Sequence, residues 1–242
     1  MRRMITPAAL VLAALMALPG YATTRLDYAS LVANPARPAA DTVRDADRKP
    51  AALLAFAGIN PGSVVVELAP GGGYYTRLLS LAVGPAGHVY TYSPRASAAV
   101  DEWAKTNPNV TAQIAQPGLP LAPVLADVVW TTLNYHDFKN NKVGDSDLAA
   151  VVNRAAFKAL KPGGVYLIND HQTAKSVGTA QTATLHRIED VAVVHEVEAA
   201  GFRLEKRSAM LAHPADDHTM KVQETGIRGK TDQFVLRFKK PR

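Results

Sequence analysis

The feature that most constrains this chain is the stretch VVVELAPGGGYYTRLL, from Val64 to Leu79. An apolar run with a single carboxylate, Glu67, leads into Ala69, Pro70 and three consecutive glycines, and a helical pattern follows. A strand that is apolar on both sides is covered on both faces, as in a parallel sheet. Glycines directly behind it let the backbone turn sharply and approach a ligand closely. The next helix then offers free amides and the positive end of its dipole. Glu67, near the strand terminus, is placed to accept hydrogen bonds from an amine or hydroxyl. The third glycine falls too early for a dinucleotide fingerprint, and no Lys-Ser/Thr pair follows as in a phosphate loop. A nucleotide-type pocket of another kind is expected, with a glycine turn needed only for packing as the alternative.

The rest of the chain repeats this grammar. Strands are expected at 64–68, 88–92, 110–114, 127–133, 165–170, 202–211 and 233–238. Helices are expected at 74–82, 97–105, 146–160 (capped by Ser146 or Asp147) and 184–200. Upstream, Asp41 suits the cap of a first helix and Pro50 the first turn of a second. Alternating strand and helix with short turns predicts an α/β, Rossmann-like doubly wound fold. Its sheet has seven mostly parallel strands with an antiparallel last strand, and helices on both faces. In the 184–200 helix, Leu185, Ile188, Val191 and Val194 form the face expected on the sheet, and Arg187 pairs with Asp190 at i,i+3.

The first residues read as an export signal. Arg2 and Arg3 precede an apolar run from Ile5 to Leu18, and Gly20-Tyr21-Ala22 supplies small residues for cleavage after Ala22. The run is shorter than the roughly 20 residues of a spanning helix. No cysteine is present, which excludes a lipoprotein anchor, thiolate metal sites and disulfides. Residues 23–40 predict a surface arm and residues 41–242 a single domain, large enough for one core. The formal charge of +6 falls to +4 without Arg2 and Arg3, too little and too scattered to favour nucleic acid. The expectation is a periplasmic or secreted protein with a small-molecule substrate, no nucleic-acid partner and no stable membrane association.

Ligands of such sheets bind beyond the carboxyl ends of the strands, near the topological switch point. Besides the glycine turn, two polar clusters fall at strand ends: Asn134-Tyr135-His136-Asp137 and Asn169-Asp170-His171. A long loop between the last two strands adds Asp216, Asp217 and His218. Loops of this length are usually functional or disordered. Imidazoles beside carboxylates form general-base pairs, and His136, Asp137 and His171 are the catalytic candidates. The same residue types ligate divalent cations, which makes His136, Asp170, His171, Asp217 and His218 the candidate metal set. Loop capping is the alternative for each cluster taken singly. His186 stands near a helix start and is a further candidate for the pocket.

VVVELAPGGGYYTRLL resembles the first motif of the class I S-adenosylmethionine-dependent methyltransferases, and LKPGGVYLI resembles their segment leading into strand five. The chain further resembles a bacterial group of signal-peptide-bearing methyltransferases through RDADRKPAALLAFAGI, NYHD, LHRIEDV, EAAGF and HPADDHT with IRGKTDQFVLRFKKP. The resemblance implies that Glu67, Ala69, Gly71 and Gly73 line the methionine part of S-adenosylmethionine. It also implies that Pro70, Gly72, Tyr74, Ser93, Gln116 and Asn134 complete the cofactor site. Two departures stand out. The acid that usually grips the ribose after strand two is replaced by Tyr92 and Ser93, and the usual Asp after strand three by Gln113 and Gln116. The implied activity is methyl transfer to oxygen or nitrogen of a small molecule. The alternative is a retired methyltransferase fold that binds a metal or another small ligand.

Overall fold

The computed structural model describes residues 26–114 and 121–242. The expected export signal and Gln116 lie outside the described residues. Four short helices open the described chain: α1 (Tyr28–Val32), α2 (Ala39–Thr42), α3 (Asp45–Arg48) and α4 (Pro50–Ala57). The alternating part follows as β1 (Val64–Leu68), α5 (Tyr74–Val83), β2 (His88–Ser93), α6 (Ala98–Thr106), β3 (Val110–Ile114) and β4 (Ala126–Thr132). A five-residue helix α7 (Tyr135–Lys139) and a small hairpin, β5 (Lys142–Val143) with β6 (Ser146–Asp147), precede α8 (Leu148–Ala159). The chain closes with β7 (Leu160–His171), α9 (Asp190–Ala199), β8 (Arg203–Ser208) and β9 (Gln233–Lys239).

Seven strands form one sheet in the order β3-β2-β1-β4-β7-β9-β8. The first five are mutually parallel, and β9 runs antiparallel between β7 and β8. The doubly wound architecture expected from the alternation is the one observed. Strand order reverses between β1 and β4, and this switch point brings the glycine turn and the Asn134–Asp137 segment to one edge. Two apolar clusters cover the sheet. One packs α4 and α5 on Val65, Val89 and Trp130; the other packs α8 and α9 on Val66, Val129 and Ile168.

Two local expectations are corrected. Asp41 caps nothing: it lies inside α2, buried, and its carboxylate is held by Arg77. A buried guanidinium left without a partner is costly, and Asp41 supplies that partner. The helix expected at 184–200 starts only at Asp190. Ahead of it, Ile188 donates its amide to His171 O and accepts from Thr173, an extended bridge that continues β7. Glu189 turns its carboxylate back to the amides of Ser176 and Gly178. The buried face of α9 is therefore Val193 and Val197, and Val191 is 51% exposed. Helical periodicity cannot tell a helix start from an extended lead-in that is held by long-range partners.

Candidate active site

The glycine turn is fixed from behind. Ala69, Gly71 and Gly73 have φ of 53°, 55° and 78°, so the chain curls away from β1 in left-handed steps. The Ala69 amide donates to Tyr92 O at 2.8 Å. Arg77, one turn into α5, donates to Gly72 O at 2.8 Å and grips Asp41 with two bonds of 2.6 and 3.0 Å. A Cβ on Gly73 would stand 2.9 Å from that guanidinium, so the position excludes other residues on two grounds. Glu67 is buried under the helix start and accepts from Thr76 Oγ1 at 2.6 Å. Burial pushes its carboxyl up to about 7, against the pull of the Thr76 hydrogen bond and the Arg77 charge.

Two cavities open at this sheet edge. The first, of about 690 Å³, lies over the β1 and β2 ends and is walled by Ala69, Gly71, Ser93 and Asn134 together with Leu121 and Phe138. Its volume suits a nucleoside-sized ligand. Asn134 holds the rim closed by donating to Ala69 O and Thr132 O. No atom would meet a Cβ on Gly71 within 4 Å, so the turn presents bare backbone to the space. Among the described residues lining it, the one acid is Asp137. Ser93 offers a hydroxyl where a ribose would need a carboxylate, and Arg95 supplies a cation beside it. These residues fit S-adenosylmethionine, with single hydrogen bonds in place of a bidentate acid.

The second cavity, of about 570 Å³, lies across the Leu133–Asp137 segment and is lined by His136, His171 and Asp137. Leu133 turns through φ 58° and is pinned to Asn169 O, which aims α7 across the end of β7. Asp170 is wholly buried there: Oδ1 accepts from His136 Nδ1 at 2.7 Å and from the His171 amide, and Oδ2 accepts from the His136 amide. Burial opposes both charges of this pair, yet their mutual attraction prevails. The Asp170 carboxyl is held below the usual range and the His136 imidazole is raised. His136 Nδ1 therefore carries the proton, and Nε2 faces outward. His171 is different. Burial pushes its imidazole down to about 4, and its Nδ1 shares a hydrogen bond with Thr231 at 2.8 Å, so it stays neutral.

The lid of this cavity is the loop 209–232, organised around a buried ion pair. Arg187 donates to both oxygens of Asp216, at 2.7 and 3.1 Å, and to the carbonyls of Gln172 and Met220. Asp216 also accepts the amides of His218 and Asp232. The expected Arg187–Asp190 pair does not form; Asp190 pairs with Arg207 instead. Within the loop, Gly229 packs against Asp47, and Arg44 and Arg48, at the two ends of α3, reach the cavity wall.

The sequence candidates divide accordingly. Ala69, Gly71, Ser93 and Asn134 line the first cavity, and His136, Asp137 and His171 line the second. Glu67, Gly72, Gly73 and Tyr74 line neither: the Tyr74 hydroxyl donates to Asp45 and its ring lies under Arg48. Pro70 borders a smaller neighbouring hollow. Of the candidate metal set, Asp170 is occupied behind His136, Asp217 is exposed and caps Thr219, and His218 bonds to Asp232. His186 does reach the site, with Nδ1 at 3.1 Å from Asp137 Oδ1 and 3.3 Å from His136 Nε2. Sequence reasoning missed Arg44, Arg48 and Arg228 in the second cavity, although the three arginines Arg37, Arg44 and Arg48 within twelve residues are a visible signal once the segment is known to cover a pocket.

The chain matches no protein-family model and no curated protein. Solved structures do resemble it. A SAM-dependent methyltransferase from Aquifex aeolicus superposes with TM-score 0.56 at 15% identity, covering 89% of this chain and 100% of its own. The fold is that of the SAM-dependent methyltransferases. Fibrillarin from Aeropyrum pernix, solved with natively bound S-adenosyl-L-methionine, gives 0.54 at 15% identity over 81% of this chain and 76% of its own. The cyclase SpnF gives 0.59 at 14% identity over 81% and 82%. One architecture thus carries more than one chemistry, and the site must decide.

Proposed function

We propose that this protein is an exported S-adenosylmethionine-dependent methyltransferase acting on an oxygen or nitrogen of a small molecule. The observation that carries the reading is the pair of cavities that meet at Asp137, one under bare glycine-turn backbone and one floored by imidazoles. When bound, the cofactor supplies an electrophilic methyl group. The chain's part is mostly positioning, which can account for several kcal/mol of a transfer barrier. Asn134 and the backbone of Ala69 and Gly71 shape the first cavity, and the Leu133–Asp137 segment separates it from the second. In the metal-free site His136 takes the acceptor's proton at Nε2, with Asp170 fixing its tautomer and favouring the charged ring. Arg44, Arg48 and Arg228 make no ion pair among the described residues, so the second cavity favours an acceptor that carries a carboxylate or phosphate.

Export rests on the first 22 residues, and it requires that the cofactor be delivered outside the cytoplasm. Calorimetric titration of the purified chain with S-adenosylmethionine and S-adenosylhomocysteine tests the reading. Micromolar binding is expected, and Gly71→Asn, which tolerates the left-handed backbone better than most residues and projects a side chain into the first cavity, should abolish it. A second reading, a retired fold that binds another ligand, is favoured by Ser93 standing in for the ribose acid and by Glu67 lining neither cavity. No heat at millimolar cofactor would select it.

A further inference from the structure

We propose that His136, Asp137 and His186 form a binding site for a divalent first-row transition cation at the junction of the two cavities. The inference rests on side-chain geometry and holds whether or not methyl transfer takes place. His136 Nε2, Asp137 Oδ1 and His186 Nδ1 converge from two separate segments, and the three edges of their triangle are 3.1, 3.3 and 3.4 Å. A cation held at about 2.0–2.2 Å by nitrogen and oxygen needs ligand atoms roughly 3.0–3.5 Å apart. Among the described residues this is the one cluster of three or more such groups with that convergence.

The surroundings are those of a metal site. Asp170, fully buried, accepts the proton of His136 Nδ1 and so turns the Nε2 lone pair toward the triangle. This is the carboxylate–histidine arrangement that orients metal-ligating imidazoles. His186 is held in the left-handed region, φ 57°, a conformation that costs a non-glycine residue on the order of 1 kcal/mol. Its two followers are held in place: Arg187 is locked to Asp216, and Ile188 bridges Gln172 and donates its amide to His171 O. The fold thus spends backbone strain to point an imidazole at His136 and Asp137.

Two imidazoles and one carboxylate favour zinc, iron, cobalt, nickel or manganese over calcium or magnesium, which prefer all-oxygen sets. Three protein ligands leave positions open toward the cavities, as in catalytic rather than structural sites. A cation held there would occupy the His136 Nε2 lone pair, so metal binding and proton uptake at that atom would compete. Asp170 is then a positioning residue, acting through His136.

The test is titration of the chelator-treated full chain with Co²⁺, read as visible absorption and as heat. One Co²⁺ per chain with micromolar affinity and an absorption band of nitrogen/oxygen coordination is expected. His186→Ala, at a partly exposed position outside the core, should weaken binding at least a hundredfold while leaving the unfolding midpoint nearly unchanged. Asp170→Asn should weaken it 10–100-fold; because Asp170 is buried, Asp137→Asn serves as a second variant that spares the core. Asp217→Asn and His218→Ala should bind as the wild type does. Co²⁺ binding only at millimolar levels, or binding that survives His186→Ala and Asp137→Asn, would overturn the site. S-adenosylmethionine titration of the same samples reports separately on the first cavity, so loss of one ligand does not mimic loss of the other.

Discussion

The two cavities share a wall but are built differently. The first cavity is walled by the end of β1 with its glycine turn, the end of β2, the segment from Asn134 to Asn141 and one face of α8. The second cavity is assembled from pieces far apart in the chain: the Arg44–Arg48 segment, the Leu133–Asp137 segment, His171 at the end of β7, and the 209–232 loop with Gln233 at the start of β9. The first depends on backbone conformations that glycine supplies locally. The second depends on buried carboxylates, Asp170 and Asp216, each of which collects several donors from remote residues. A turn that glycine shapes locally tolerates change elsewhere in the chain, whereas a site held by two ionic hubs fails when one hub fails.

The largest effect should come from breaking a hub. Arg187→Met leaves Asp216 buried without its cation, and about 3–5 kcal/mol of stability should be lost, measured by denaturant unfolding. The comparison sharpens if residual folded protein keeps cofactor affinity but loses Co²⁺, since His186 is presented by Arg187.

A slightly smaller effect concerns pH beneath the glycine turn. Glu67 is raised to about 7 by burial, from an ordinary value of 4.5. Between those values the unfolded chain has released a proton that the folded chain keeps, so this group's contribution is full below about pH 4.5 and is lost as pH rises to 7. The loss should be on the order of 3 kcal/mol. Glu67→Gln can keep the Thr76 hydrogen bond and should flatten this part of the stability profile. An unchanged slope would place the titration elsewhere.

Gly73→Ala meets both a left-handed backbone and Arg77, and should cost about 1–3 kcal/mol, read as a lower unfolding midpoint. It should weaken cofactor binding more than Co²⁺ binding. The smallest expected change is a gain. Ser93→Asp restores a carboxylate at the end of β2 and should tighten nucleoside binding about tenfold, which is about 1.4 kcal/mol. No gain in calorimetry would mean that the ribose lies away from Ser93.

Legibility follows the same division. Val64–Leu68, the glycine turn and α5 were readable because period, glycine content and apolar content act within a few residues of one another. The Asn134–Asp137 and Asn169–His171 clusters were readable as strand-end residues, and their adjacency followed from the order of parallel strands. The 184–200 segment was misread because its apolar spacing suits a helix, while Ile188 and Glu189 are claimed by β7 and by the amides of Ser176 and Gly178. Asp41 was misread for the same reason: an Asp before a helical run signals a cap, and only the fold brings Arg77 to it.

By itself, the sequence determined the doubly wound sheet, the turn that leaves backbone bare over one cavity, and the residue types gathered at the strand ends. These follow from local periodicity and from the conformational freedom of glycine, which need no distant partner. Only the tertiary structure decided that Asp170 stands behind His136, that Arg187 belongs to Asp216, and that His186 completes the triangle with Asp137. Buried charges and polar groups must find partners wherever the chain brings them, and sequence distance carries no information about which partners those will be.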